Sequence, residues 1–150
     1  MKEFDYLQPK TVAEACRLRA QYGKRAAVLN GGTDVVIQLR ERLIAPDAVI
    51  DIKHIPGLNA ITFDKTNGLV IGACATVAAL AADENVKRYY PFLAESAESI
   101  GSKQVRNRAT FVGNIVSASP LCDTGTPLYV LGAVMLLEGV SGKREVPITE

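Results

Sequence analysis

The chain has 150 residues, 48% of them hydrophobic, and a formal net charge of +1. This size supports one compact domain or two small ones, and the balanced charge and the lack of Trp argue against a nucleic-acid partner. The sequence has neither an apolar run of about 18 residues, as a membrane span needs, nor the N-terminal pattern of a signal peptide, so we expect a cytoplasmic protein without a membrane partner.

The N-terminal residues predict an edge strand and then a helix. Phe4–Leu7 is a short apolar run that stops before a proline. Thr11 and Glu14 have the spacing of a capping box, in which each side chain binds a free backbone N–H of the first helical turn. Because Gly23 is a typical C-terminal stop, we expect the helix to lie between Thr11 and Gly23.

The next elements predict a parallel pair of strands. Ala26–Leu29 fits a short buried strand, and Ala48–Ile52 fits a second one. Between them, Thr33 or Asp34 is predicted to cap a short helix, and Asp34 is expected to bind backbone N–H groups. A strand–helix–strand order favours parallel pairing, so residues 1–55 are predicted to form an α/β subdomain.

Residues 56–150 are predicted to form a second α/β subdomain. Asn67–Gly68 lies between two apolar runs, which is a strong signal for a β-hairpin. Thr76 is expected to cap one helix and Pro91 to stand in the first turn of another. A last hairpin is expected over residues 133–148.

The placement of cysteine and histidine argues against a metal site. Cys16, Cys74 and Cys122 are widely spaced and form no C-x-x-C pair, so neither a disulfide framework nor a zinc site is expected. We interpret all three as small packing residues, and leave a ligand or redox contact open for Cys122. The single histidine, His54, is expected to be a loop residue and not a catalyst.

The first of two polar segments is Asn30–Asp34, between a predicted strand and a predicted helix. Glycines let the backbone approach a ligand closely, and consecutive N–H groups at the start of a helix favour an anion. A plain capped turn is the alternative interpretation. Neither a Walker A loop nor a G-x-G-x-x-G fingerprint occurs, which disfavours nucleoside triphosphate hydrolysis and a Rossmann nicotinamide site.

The second polar segment, Gln104–Pro120 followed by Asp123, is rich in Arg, Asn, Thr, Ser and Gly, and it is predicted to be a loop that wraps a polar ligand. Thr110 and Ser117 offer hydroxyls to phosphate oxygens, and the amide of Asn114 both donates and accepts. Asp123 suits the hydroxyls of a sugar or ribityl chain. A ligand with phosphates at one end and a polyol at the other, such as FAD, would satisfy these groups.

Short motifs occur in a fixed order along the whole chain: Gly31–Asp34, Ile71–Ala73 with Thr76, Arg106–Thr110, Gly113–Ile115, Ala118–Pro120, Asp123, Pro127 and Leu131–Ala133. In this order and spacing the chain resembles the FAD-binding medium subunit of molybdenum hydroxylases, of the xanthine dehydrogenase and carbon monoxide dehydrogenase type. The resemblance implies an α/β (α+β) fold of two small subdomains, 1–55 and 56–150, of the vanillyl-alcohol-oxidase type. It also implies that the family's C-terminal domain is absent from this chain.

The same resemblance implies FAD as the cofactor and no catalytic or metal-binding residue in this chain. The residues expected to bind FAD are Leu29, Asn30, Gly31, Gly32, Thr33, Asp34, Val35, Thr76, Ala109, Thr110, Gly113, Asn114, Ser117 and Asp123. Val112 is a departure from the family, which usually has two adjacent glycines at this point.

The implied role is electron transfer within a hetero-oligomer. One partner subunit would carry 2Fe–2S clusters and another the molybdenum cofactor that oxidises the organic substrate, while the flavin passes electrons to NAD or another acceptor. Two alternatives stay open. One is a scaffold subunit that has lost tight FAD binding, and the other is a nucleotide-regulated domain without partner subunits.

Overall fold

The structure, a computed structural model, describes residues 2–119 and 122–150. Its N-terminal part is a three-stranded parallel sheet in the order β1-β3-β2, formed by β1 (Asp5–Leu7), β2 (Ala26–Leu29) and β3 (Ala48–Asp51). Helices α1 (Val12–Tyr22) and α2 (Val35–Arg40) belong to the connections between the strands. The predicted edge strand, helices and parallel pair are confirmed.

Two details of this part differ from the predictions. β3 is the buried central strand, whereas β2 lies at an edge with Val28 40% exposed, because β3 pairs with both neighbours. The Thr11 hydroxyl caps α1 as predicted by accepting the N–H of Glu14, but the Glu14 carboxylate accepts the N–H of Lys10 and not that of Thr11.

The remaining residues form two hairpins and six short helices in the described part of the chain. Strands β4 (Ile61–Asp64) and β5 (Gly68–Ile71) pair first, and β6 (Val134–Gly139) pairs with β7 (Gly142–Pro147). Between the hairpins lie α3 (Val77–Ala82), α4 (Glu84–Tyr89), α5 (Pro91–Ser99), α6 (Lys103–Arg106), α7 (Phe111–Val116) and α8 (Gly125–Val130). The Thr76 cap, the Pro91 helix start and both hairpins are confirmed.

The hydrophobic core of this part packs α3, α4 and α5 against one another and encloses Phe111 at the start of α7. Its most buried members are Val77, Leu80, Val86, Leu93, Ala97 and Phe111, each at most 1% exposed. Phe111 is the first residue of α7 and the largest fully buried side chain. The core therefore fixes the start of α7, where the second polar segment lies.

The prediction that Gln104–Pro120, followed by Asp123, is a loop is wrong for about half of the segment. It contains part of α6 and all of α7, separated by a turn, and Pro120 lies outside the described residues. Two short caps explain the difference, because Ser102 accepts the N–H of Val105 and Thr110 accepts that of Gly113. Polar side chains that favour loops thus begin helices here.

The β6–β7 hairpin and α8 each carry exposed apolar side chains. Val130 is 72% exposed, Leu136 66% and Tyr129 63%. Among the described residues β6 and β7 pair only with each other, so both outer edges of the hairpin are unpaired. In the same ranges, 2–119 and 122–150, no helix has the length and apolar character needed to cross a bilayer.

Candidate functional site

Three chain segments meet at the C-terminal end of β2: residues 29–35, 72–77 and 109–114. The Asn30 side-chain amide donates to the carbonyl oxygen of Ala73. Thr76 and Thr110 form an antiparallel bridge, in which the N–H of Val77 donates to Ala109 over 2.9 Å and that of Phe111 to Ala75 over 3.1 Å. The turn after β2, the start of α3 and the start of α7 therefore form one surface.

Gly31 joins the first and the third segment by direct backbone contact. A Cβ placed on Gly31 would overlap the carbonyl oxygen of Arg108 and lie 2.9 Å from the backbone nitrogen of Thr110. Backbone atoms cannot move aside as a flexible side chain can, so only glycine fits this contact. The two polar segments, which lie more than 70 residues apart in the sequence, are thus packed against each other.

The first polar segment leaves its backbone donors free. Within the described residues, none of the N–H groups from Gly31 to Asp34 donates a hydrogen bond to another protein atom. Gly32 has a φ of +85°, the left-handed conformation that favours glycine. Successive N–H groups around a left-handed residue form a concave site with partial positive charge, which attracts anions.

Asp34 does not act as the predicted helix cap. It stands at the N-cap of α2 with φ −99° and ψ −51°, and its side chain makes no capping hydrogen bond. A capping side chain requires an extended backbone at this position, whereas the chain is already helical here, as the hydrogen bond from Val36 to the Gly32 carbonyl shows. The Asp34 carboxylate is therefore exposed beside the free N–H groups.

In the second polar segment, Thr110 and Gly113 bind each other. The Thr110 hydroxyl oxygen accepts the N–H of Gly113 over 3.1 Å, and Thr110 is only 4% exposed. A Cβ on Gly113 would lie 2.5 Å from that same oxygen. The capping bond and the absence of a side chain at Gly113 are therefore parts of one local arrangement.

Asn114 belongs to a buried polar cluster that the sequence did not reveal. Its side-chain oxygen accepts hydrogen bonds from the hydroxyl of Thr124 over 2.8 Å and from the thiol of Cys122 over 3.1 Å. Thr124 is fully buried. Thr124 was missed because the nine residues between it and Asn114 give no periodic signal, although its position directly after Asp123 was a usable hint.

The other expected site residues are less closely connected. Ser117 and Asp123 are both exposed: the Ser117 hydroxyl donates to the backbone carbonyl of Asn114, and the Asp123 backbone carbonyl accepts from Ser96. The three converging segments contain four half-buried members of the expected set, Leu29, Thr33, Val35 and Thr76, and the buried Ala109. Ser117 and Asp123 lie after α7.

One acceptor at this surface is buried and unpaired. The Asn30 side-chain oxygen has no hydrogen-bond partner among the described residues, although its amide nitrogen is bound to Ala73. A buried polar atom without a partner is unfavourable by about 1–3 kcal/mol. This oxygen therefore favours a ligand that carries a hydrogen-bond donor.

A buried ion pair supports β3 next to the site. Asp51 is 1% exposed, and its Oδ1 lies 2.8 Å from the Lys53 ammonium, while the Tyr6 hydroxyl donates to Oδ2. Burial is the strongest influence on the pKa of Asp51 and raises it, but the bonds from Lys53 and Tyr6 together outweigh burial and hold the pKa at about 2. Asp51 is thus a permanent anion at neutral pH.

Cys74 and His54 have the surroundings that the sequence predicts, a packed interior and a turn. Burial, with a smaller contribution from the Asp51 charge, raises the pKa of the Cys74 thiol to about 11, so Cys74 is a neutral packing residue. His54 is exposed in a turn. No group of three or more potential His, Cys, Asp or Glu ligands is found among residues 2–119 and 122–150.

Comparison with known proteins gives a consistent result. The FAD-subunit of nicotinate dehydrogenase from Eubacterium barkeri is 35% identical over 151 residues, which cover 100% of this chain and 51% of that protein. The FAD-binding subunit of xanthine dehydrogenase from Escherichia coli O157:H7 is 35% identical, with 95% of this chain and 49% of that protein covered. The chain thus spans about half the length of these curated relatives.

The fold gives the same assignment. A chain of carbon monoxide dehydrogenase from Hydrogenophaga pseudoflava superposes with a TM-score of 0.94 at 36% identity, covering 98% of this chain and 51% of that one. A family model described as the FAD binding domain in molybdopterin dehydrogenase matches residues 2–150. This chain therefore belongs to the family of FAD-binding domains of molybdopterin dehydrogenases.

Proposed function

We propose that this chain binds FAD as the electron-transfer part of a molybdenum hydroxylase. Electrons would come from iron–sulfur clusters in one partner subunit, after a molybdenum-cofactor subunit has oxidised the organic substrate, and would leave to NAD or another acceptor. The observation that carries the proposal is the row of free N–H groups from Gly31 to Asp34, in a chain whose family binds FAD. We also propose a cytoplasmic location.

The groups present fit the two polar parts of FAD. The four free N–H groups suit the negatively charged pyrophosphate, with the hydroxyl of Thr33 beside them. The unpaired Asn30 oxygen suits a hydroxyl or amine donor of the cofactor. We propose the same binding set as the sequence indicates: Leu29, Asn30, Gly31, Gly32, Thr33, Asp34, Val35, Thr76, Ala109, Thr110, Gly113, Asn114, Ser117 and Asp123.

The chain's own residues would bind and orient the cofactor and would not act as acids or bases. When bound, the flavin supplies the electron-accepting and electron-donating chemistry. The exposed Asp34 carboxylate repels phosphate, so we propose that it limits how far the pyrophosphate can shift toward α2. The two subdomains, 1–55 and 56–150, would contribute the first segment and the other two segments, respectively.

The test compares two glycines with the same backbone conformation. Gly32 has a φ of +85° and Gly57 a φ of +84°, but Gly57 lies in open space, with no heavy atom within 4 Å of an added Cβ. An alanine at either position must adopt the left-handed conformation, which is unfavourable for an L residue by about 1–2 kcal/mol. We expect Gly32→Ala to raise the dissociation constant for FAD at least tenfold, and Gly57→Ala to leave it unchanged.

The measurement is titration of the flavin-free protein with FAD, followed by quenching of flavin fluorescence, both alone and with the partner subunits present. Thermal unfolding of each variant shows whether the two substitutions destabilise the fold equally. Equal FAD affinity of the two variants would show that the first segment is not part of the FAD site. A wild-type protein that takes up no flavin under either condition would favour the scaffold alternative.

A further inference from the structure

We propose that Thr124 is a positioning residue that fixes the orientation of the Asn114 amide and thereby makes its nitrogen available to the cofactor. The inference rests on the proposed FAD site. It concerns a residue that is fully buried and therefore would act only through Asn114.

The hydrogen bonds around Asn114 determine which end of its amide faces the protein. The Asn114 oxygen accepts from Thr124 over 2.8 Å and from Cys122 over 3.1 Å, which uses both of its lone pairs. The Thr124 hydroxyl and the Cys122 sulfur also lie 3.3 Å apart. The three side chains thus form a closed triangle around one acceptor atom.

The reversed orientation of the amide would leave Thr124 without a good acceptor. With the Asn114 nitrogen turned inward, the Thr124 hydroxyl hydrogen would have only the Cys122 sulfur to bind, and a thiol is a weak acceptor. A buried hydroxyl without a proper partner is unfavourable. Thr124 therefore selects the orientation in which the Asn114 oxygen points inward.

In the selected orientation two N–H donors remain free. Within residues 2–119 and 122–150, the side-chain nitrogen of Asn114 has no hydrogen-bond partner. Asn114 is half-buried and stands in α7, one turn after Thr110, whose backbone nitrogen lies against Gly31. The free amide is thus carried by the segment that packs against the turn with the free backbone N–H groups.

The test pairs a valine with a serine at position 124. Thr124→Val keeps the shape of the side chain and removes the donor, so the Asn114 amide loses its preferred orientation. We expect a tenfold weaker affinity for FAD. Thr124→Ser keeps the hydroxyl, and we expect it to bind FAD within about threefold of the wild type.

A double-mutant cycle separates positioning from a general loss of stability. Asn114→Leu removes the amide that Thr124 orients, so adding Thr124→Val to it should weaken FAD binding no further. The side-chain amide signals of Asn114 in a ¹⁵N spectrum give a second readout without cofactor. They should broaden or double in Thr124→Val, where the amide takes both orientations, and stay single in Thr124→Ser.

Each outcome has one meaning. A tenfold loss in Thr124→Val that persists in the Asn114→Leu background would overturn the inference, because Thr124 would then act independently of Asn114. Wild-type affinity in Thr124→Val would also overturn it, while the proposed function would stand. Failure of the proposed function is distinct: neither the wild type nor Thr124→Ser would bind FAD, and the inference would fall with it.

Discussion

The two polar segments look alike in the sequence and differ in what they do with their polar groups. Asn30–Asp34 leaves four consecutive N–H groups, from Gly31 to Asp34, without a partner in the part of the chain that the structure describes. In the second segment Thr110 binds Gly113, and Asn114 is bound by Cys122 and Thr124. The first segment therefore offers a row of backbone donors to a ligand, whereas in the second segment the Thr110 hydroxyl and the Asn114 oxygen are already bound within the protein.

This difference teaches that polar composition alone does not measure availability to a ligand. A polar side chain near a helix start usually finds a backbone N–H there, and its hydrogen bonding is then satisfied before a ligand arrives. The comparison predicts two classes of variant. Changes to the open N–H groups around Gly32 should act mainly on FAD affinity, and loss of the Thr110 cap should act mainly on stability.

The largest effect is expected where the two segments touch. Gly31→Ala places a methyl group against the backbone of Arg108 and Thr110, which cannot move aside. Overpacking of this kind typically destabilises a protein by about 1–3 kcal/mol, and we expect the upper end in urea unfolding, together with loss of FAD binding. Gly139→Ala is the matched control because its added Cβ meets no atom within 4 Å. Equal stability of the two variants would show that the segments do not need this contact.

The next effect tests the strand that holds the first segment in place. Asp51 is paired with Leu29 in the β2–β3 register, directly before Asn30. Its folded pKa of about 2 lies below the unfolded value of about 3.9, so its ionised form stabilises the fold fully above pH 4–5 and loses this contribution as the pH falls toward 2. The shift corresponds to about 2–3 kcal/mol.

Asp51→Asn should therefore have a lower free energy of unfolding than the wild type at pH 7. Between pH 7 and pH 2 this free energy should fall less in the variant than in the wild type. Asp64→Asn removes an exposed carboxylate whose pKa is lowered mainly by the N–H of Asn67. We expect a weaker effect for that variant. A pH profile for Asp51→Asn parallel to that of the wild type would contradict the ion-pair interpretation.

The smallest effect tests the second segment alone. Thr110→Val removes the cap of α7 and Thr11→Val removes the cap of α1, where the hydrogen bond is also 3.1 Å long. Each should destabilise its helix by about 1 kcal/mol. Hydrogen exchange should accelerate at Gly113 in the first variant and at Glu14 in the second. If Thr110→Val instead lowered FAD affinity without faster exchange, the Thr110 hydroxyl would be a ligand contact and not chiefly a cap.

Features of the fold that depend on neighbouring residues were predictable from the sequence. Thr11, Thr76 and Pro91 act within one helical turn, and the Asn67–Gly68 pair lies within its own hairpin. The family resemblance also follows from local motifs whose order is fixed. These signals need no knowledge of which segments meet in space.

Features that depend on tertiary contacts could not be read in the same way. Val28 looked buried because its strand is apolar, yet the edge position of β2 is set by pairing with β3. The fit of Gly31 against Arg108 and the hydrogen bond from Thr124 to Asn114 join residues that no sequence period connects. The polar composition of the second segment suggested a loop because caps and loops favour the same residue types.

The exposed apolar side chains of the β6–β7 hairpin have a practical consequence. Among the described residues both outer edges of the hairpin are unpaired, and together with the exposed Leu136 they can template the addition of another strand from a neighbouring molecule. We expect aggregation of the 150-residue chain to limit its handling at high concentration, more than unfolding does. A charged substitution such as Leu136→Lys would act as a gatekeeper that keeps the protein dispersed during the flavin titrations.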